Sequence, residues 1–201
     1  MVPMTSDADI RGLLERALGQ AAAVIAAIPA GAAGAATPCP GWDVRTLVRH
    51  VVGQDLRNFI AVARGENADG QAPADELGED WLAAFASGAD RLMAVWRAAD
   101  LDQPVALPGG AQVPLGSRAD QQIAELTVHS WDLAMATGQQ ARASLDPELA
   151  EHALAWSRRM LKPEYRGPDR AFGAEVPVPA DAPAYDRMAG WFGRDPGWTP
   201  A

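Results

Sequence analysis

Only one cysteine, Cys39, and one lysine, Lys162, occur among the 201 residues. A single thiol forms no internal disulfide, so nothing here argues for an oxidising compartment. Positive charge is also scarce: 17 Lys and Arg stand against 26 Asp and Glu, a net charge of −9. An acidic surface repels phosphate backbones, which argues against a nucleic-acid partner. Long hydrophobic runs are missing too. The uncharged stretch from Ala17 to Trp42 comes nearest, but it is mostly small residues, is broken by Pro29 and follows Asp7, Asp9 and Glu15. A signal peptide wants a basic start and a stronger apolar run. A membrane span wants about 20 strongly apolar residues. The expectation is a cytoplasmic protein with no membrane partner. The sequence also lacks internal repeats, a phosphate-binding Gly-rich loop, a dinucleotide fingerprint and a Ser-His-Asp pattern.

What is present is ordinary for a globular chain: 48% hydrophobic and 21% charged residues. A chain of this length defaults to one domain and buries about 70% of the surface its unfolded form exposes. The first helix reads from Ile10, Leu13, Leu14, Ala17, Leu18, Ala21, Val24, Ile25 and Ile28, with Ser6 or Asp7 as cap and Pro29 and Gly31 as stop. Thr37-Pro-Cys-Pro-Gly-Trp42 is a rigid turn, because two prolines and a glycine do not continue a helix. Asp43 then caps a second helix with Val44, Leu47, Val48, Val51, Val52, Phe59 and Ile60 inward, ending near Gly65 before a loop from Glu66 to Leu77.

A third helix carries Trp81, Leu82, Phe85, Ala89, Leu92, Met93 and Trp96 on one face. The Gly-Gly pair between two short apolar runs, residues 104–116, suggests a small hairpin or an ordered loop. A fourth helix spans about Ser117 to Thr137 and stops at Gly138. Asp146-Pro147 opens a fifth, with Leu149, Ala153, Trp156 and Met160 inward. Prolines hold Phe172 to Pro179 extended. A short last helix then carries Tyr185, Met188, Ala189 and Phe192 and closes at Gly193. The sum is mainly all-α: a helical bundle over residues 1–163, with 164–201 an extension packed on it within the same domain.

The fourth helix is apolar nearly all the way round and should be buried. It nevertheless carries Gln122, Glu125, His129 and Asp132 along one strip. A buried polar strip must face something polar. Glu125 and His129, one turn apart, reach a single point, and a carboxylate with an imidazole suits zinc, nickel, iron or manganese. Asp132 and Gln122 are then candidates to orient the imidazole. The plainer reading is a Glu-His pair at a solvated helix edge. His50 sits beside the apolar stripe of the second helix, in line with Leu47 and Gln54, and periodicity leaves it facing either a bundle opening or water. His152, beside Glu148 and Glu151, reads as a solvated edge residue.

At these residues the chain resembles a known family. Thr37-Pro-Cys-Pro-Gly-Trp-Asp-Val-Arg-Thr-Leu-Val-Arg-His-Val-Val-Gly53 is similar to the opening motif of the mycothiol-dependent maleylpyruvate isomerase-like proteins of the DinB-like superfamily. Glu125-Leu-Thr-Val-His-Ser-Trp-Asp-Leu-Ala-Met-Ala-Thr-Gly138 resembles their second motif. Phe172-Gly-Ala-Glu-Val-Pro-Val-Pro179 and Gly193-Arg-Asp-Pro196 resemble an actinobacterial branch described as metal-binding.

The resemblance implies a DinB-like four-helix bundle holding a divalent metal, zinc or alternatively nickel, through His50, Glu125 and His129. It leaves His152 outside the site. It also implies mycothiol as cosubstrate and a small electrophile as substrate, in an S-transfer or an isomerisation, by a monomer or homodimer. One departure stands out: the isomerase proper has a second, sterol-carrier-like domain, and the residues after this bundle are too few to form it. Three protein ligands leave zinc one open position, the arrangement of catalytic sites. The competing expectations are a non-catalytic metal- or ligand-binding module and a helical interaction protein. Trp42 and Trp131 read as core anchors and Cys39 as structural or inert. Arg45, Arg49 and Arg57 read as solvated, with orientation of an anionic substrate near His50 as the alternative.

Overall fold

The computed structural model describes residues 7–66, 77–107, 110–139, 145–167 and 172–200. The expected cap Ser6 and residues 67–76 of the loop from Glu66 to Leu77 lie outside them. Helix α1 (Asp7–Ala26) buries Leu14, Ala17, Leu18, Ala21, Val24 and Ile25, the face its periodicity predicts. After a 3-10 turn at Ala32–Gly34 and the Pro-Cys-Pro-Gly turn, α2 (Val44–Arg49) starts where Asp43 accepts a hydrogen bond from the Thr46 N–H at 2.7 Å.

The second helix is not the uninterrupted α-helix expected from the sequence. A π-helical turn, His50–Asp55, joins α2 to α3 (Leu56–Ala63). A π turn holds more residues than an α turn, so it resets which side chains face inward. Val48, Val51 and Phe59 stay buried, but Val52 and Ile60 are only half-buried and Leu56 takes a core position. The same turn brings His50 and Asp55, five residues apart, to one side.

Helix α4 (Trp81–Ala98) is capped by Asp80, which accepts from the Ala83 N–H at 2.9 Å. It buries Phe85, Leu92, Met93 and Trp96, whereas Leu82 is exposed. Its carbonyl end is closed by Arg11 of α1, which donates to the Trp96 and Ala99 oxygens at 3.1 and 2.8 Å. The expected hairpin forms: β1 (Pro104–Ala106) pairs antiparallel with β2 (Gln112–Pro114), Val105 opposite Val113. Helix α5 (Gly116–Ala136) ends at Gly138, whose φ of 62° allows the stop. Helix α6 (Pro147–Met160) begins at the predicted Asp146-Pro147 cap.

These helices form a mostly helical, DinB-like bundle. α1 packs on α4 and α5, and the α2–α3 segment packs on α4 and α5 to close the ring. On its far side α5 packs against α6 and α7 (Ala184–Trp191). Having neighbours on both sides explains why α5 is apolar round most of its circumference. The C-terminal stretch runs extended along α7, where the Val176 N–H donates to the Gly190 oxygen at 2.9 Å. That approach requires glycine: a Cβ at position 190 would lie 2.6 Å from the Val176 oxygen. Among the described residues, no helix is long and apolar enough to cross a membrane.

Candidate metal centre

The seam between the π turn and α5 gathers several ionisable side chains in one place. His50, Asp55, Glu125 and His129 each offer one ligand atom, and these atoms all lie within 4.8 Å of one another. Three of the four are the residues expected from the sequence. His129 Nε2 is 3.5 Å from Glu125 Oε2, and His50 Nε2 is 3.3 Å from Asp55 Oδ2. A tetrahedron with metal–ligand bonds of about 2.1 Å has edges of about 3.4 Å, so both separations suit ligands of one small ion.

Each imidazole is held by its other nitrogen. His129 Nδ1 lies 3.1 Å from Asp132 Oδ2, and His50 Nδ1 lies 3.1 Å from Gln54 Oε1. With Nδ1–H donating to oxygen, the neutral form of each ring carries its lone pair on Nε2, and both Nε2 atoms face the cluster. Asp132 is fully buried and anchored by Arg194, whose Nε and Nη2 donate to it at 3.2 and 2.9 Å. The expected orienting role of Asp132 therefore has a geometry behind it. That of Gln122 does not: its Oε1 accepts from Trp96 Nε1 at 3.1 Å, which ties it to α4.

The electrostatics describe a site short of positive charge. Burial disfavours charge on His129, but hydrogen bonds to Asp132 and Glu125 outweigh it and raise the pKa to about 9. Burial also opposes charge on Glu125, yet the His129 hydrogen bond and the charges of His129, His50 and Arg194 bring it below the ordinary carboxylate range. Burial, with repulsion from His129, lowers His50. Asp55 is pushed well above the usual range, first by burial and then by Glu125. Among the described residues Asp55 Oδ2 finds no hydrogen-bond partner. Such an atom in a polar cluster is what a cation would satisfy, and the donor set of two imidazoles and two carboxylates fits a divalent ion.

Sequence reasoning missed Asp55, although a signal existed. It sits in the spacing of Val48, Val51 and Phe59, where a carboxylate on an apolar face calls for an explanation. The π turn hid its proximity to His50.

A cavity of about 450 Å³ opens onto the cluster. Its walls include Trp42, Trp156, Phe172 and Phe192, with Arg118 and Arg194 as cations. Trp42 packs against the core as expected but is only half-buried, because it also walls the cavity, edge-on to His50 at 4.8 Å and stacked on His129 at 6.2 Å between centroids. Trp131 is fully buried, as a core residue should be. Leu149 and Ala153 are buried as expected, with Ala150, Leu154 and Ser157 beside them; Trp156 packs against the core but also lines the cavity, as does Met160.

Arg45 lies over the Trp81 ring at 5.4 Å and Arg49 is exposed. Neither they nor Arg57 line the cavity; Arg57 borders a second cleft between α3 and α4. Cys39 does line the cavity, and burial raises its thiol to about 11, so it stays protonated near neutral pH. His152 departs from its expected solvated role, pairing with Asp120 across α5 and α6 at 2.8 Å, apart from the cluster.

Fold and site together define a DinB-like helical bundle with a partly buried cluster of two imidazoles and two carboxylates. The chain belongs to the mycothiol maleylpyruvate isomerase N-terminal domain family, whose sequence pattern matches residues 14–134. Uncharacterized proteins of Mycobacterium tuberculosis strains CDC 1551 / Oshkosh and H37Rv are each 34% identical over 189 residues, covering 90% of this chain and 94% of theirs. Among solved structures, the mycothiol-dependent maleylpyruvate isomerase superposes with a TM-score of 0.51 at 17% identity, over 73% of this chain and 67% of that one. A histidine-to-alanine mutant of that isomerase gives the same TM-score and coverage at 14% identity. At such identities the likeness concerns the fold.

Proposed function

We propose that this protein binds one divalent metal, zinc first and nickel second, through His50, Glu125 and His129. In this reading it uses the metal with a low-molecular-weight thiol, mycothiol, to act on a small electrophile. The reaction is S-transfer or a thiol-assisted isomerisation. One observation carries the reading: two imidazoles from different helices turn their Nε2 atoms to one place, while Gln54 and Asp132 hold their Nδ1 atoms. A bound divalent ion supplies Lewis acidity, lowering the pKa of a thiol that reaches it.

The chain's own residues do the rest. Trp42, Trp156, Phe172 and Phe192 exclude water and hold the apolar part of the electrophile. Arg118, half-buried with its guanidinium over the Phe59 ring at 5.7 Å, faces an anionic group. Arg194 fixes Asp132 and through it the His129 ring. The contribution of Phe172, Phe192 and Arg194 to the pocket walls supports counting residues 164–201 with the bundle as one domain. We place the protein in the cytoplasm, acting on small molecules as a monomer or homodimer, with no nucleic-acid or membrane partner.

The test is elemental analysis of untagged protein, then thiol-dependent consumption of model electrophiles by the metal-loaded form. One equivalent of metal with turnover that needs both metal and thiol is the expected result. Stoichiometric metal without thiol-dependent turnover points to the second reading, a non-catalytic metal-binding module, which the nearness of Asp55 favours. Protein that neither contains nor takes up metal leaves a helical domain without the proposed centre.

A further inference from the structure

We infer that Asp55 is a fourth protein ligand of this metal, so that an incoming ligand reaches the ion by displacing it. The inference rests on the metal-centre reading above and adds to it a resting state with no vacant position. Asp55 Oδ2 lies 3.3 Å from His50 Nε2 and within 4.8 Å of the offered atoms of Glu125 and His129. The residue is 7% exposed.

Three observations converge on a ligand role. First, Oδ2 has no hydrogen-bond partner among the described residues, and burying a carboxylate without partner or cation is strongly unfavourable. Asp132, also buried, shows how the same fold satisfies a carboxylate that serves structure: it receives Arg194 and His129. Second, the charges balance only with Asp55 included. Asp132 is matched by Arg194; a divalent ion between two neutral imidazoles is matched by Glu125 and Asp55 together. Third, the π turn spans His50 to Asp55, the two residues it brings together. π turns within α-helices concentrate at functional sites. An unbroken α-helix would set side chains five apart about 140° from each other.

Zinc held by four protein ligands is closed, whereas three leave a position for chemistry. Asp55 therefore decides how readily the centre admits an exogenous ligand. The closing experiment titrates ion-free wild type, Asp55→Ala, Asp55→Asn and His129→Ala with Co2+, followed by visible absorption, and then adds inorganic azide. Asp55→Ala should bind Co2+ at least tenfold more weakly than wild type. Its Co2+ spectrum should shift at azide concentrations that leave the wild-type spectrum unchanged.

Thermal unfolding of the ion-free proteins supplies a readout separate from the metal. Asp55→Asn should melt no lower than wild type, since a carboxylate held only for an ion contributes no apo stability. Equal Co2+ affinity and equal azide response in wild type and Asp55→Ala overturn the assignment while leaving the three-ligand centre standing. A lower melting point for ion-free Asp55→Asn with unchanged Co2+ affinity also overturns it, making Asp55 a structural residue. Wild type that takes up no more Co2+ than His129→Ala removes the metal centre itself, and Asp55 with it.

Discussion

Helix α5 meets its neighbours through two unlike surfaces. Towards α1 the partner face is Leu14, Ala17, Leu18, Ala21, Val24 and Ile25, all buried and all apolar. Towards α2 and the π turn it meets His50 and Asp55 with Glu125 and His129 of its own. The first surface stabilises the bundle by removing apolar area from water. The second gathers groups whose desolvation opposes folding: Glu125 pairs with His129 and Arg194 holds Asp132, but Asp55 Oδ2 has no hydrogen-bond partner among the described residues. Stability and site chemistry thus occupy different contact surfaces of one helix, and each should be removable without the other.

The largest expected effect tests that separation directly. His50→Ala and Glu125→Ala should each lose stoichiometric metal, read by elemental analysis, while circular dichroism keeps its helical signal, because the apolar core remains. His152→Ala, which removes a pair to Asp120 outside the cluster, should leave metal content unchanged. Loss of helix in the first two would mean that the polar seam also holds the bundle together.

Arg194→Met sits where the two surfaces connect. It leaves Asp132 buried without its cation, at a cost of about 3–5 kcal/mol in denaturant unfolding. It also frees the His129 ring, which should weaken metal binding by about 10- to 100-fold. A variant that loses stability but binds metal at full strength would show that Asp132 does not position His129.

Leu14→Ala works on the dry side. Leu14 is 1% exposed, so truncation should cost about 2–5 kcal/mol and leave metal affinity unaltered. A matching fall in affinity would show that the two seams are coupled through α5.

The smallest effect concerns the start of α2. Asp43→Ala removes the hydrogen bond to the Thr46 N–H and should cost about 1 kcal/mol. Hydrogen bonds from Thr46, first its side chain and then this N–H, hold the Asp43 carboxyl below its ordinary range. Its contribution is therefore complete above the unfolded pKa, about 4, and is lost as pH falls through the lowered folded value. Asp43→Asn keeps an acceptor at the cap but should flatten this acid dependence in urea titrations between pH 3 and 6, a range of about one unit or more around that pKa.

Much of the fold was legible in the chain because its signals are local. Asp43, Asp146 and Gly138 mark helix ends through hydrogen bonds and φ angles set within a few residues. Helical spacing named most of the α1 core, and the apolar circumference of α5 announced its burial. The paired motifs pointed to His50, Glu125 and His129, which the structure brings together. Side-chain direction was harder. Gln122 shares a strip with Glu125, yet α4 offered it the Trp96 indole. Trp42 read as a core residue because aromatic rings bury large areas; it does pack on the core, but a cavity lies against its other side. Val52, expected inward, is only half-buried and Leu56 takes a core position because the π turn changed the helical register.

By itself, then, the sequence determined a helical bundle, where its helices begin and end, and which residue types were available for a metal. Those outcomes follow from backbone hydrogen bonding and spacing within single helices. Tertiary structure alone decided that Asp55 joins the cluster, that Arg194 reaches Asp132 across 62 residues, and that Trp42 walls a pocket. Each depends on which surfaces meet when separate elements pack, and helical periodicity carries no information about a neighbour not yet in place.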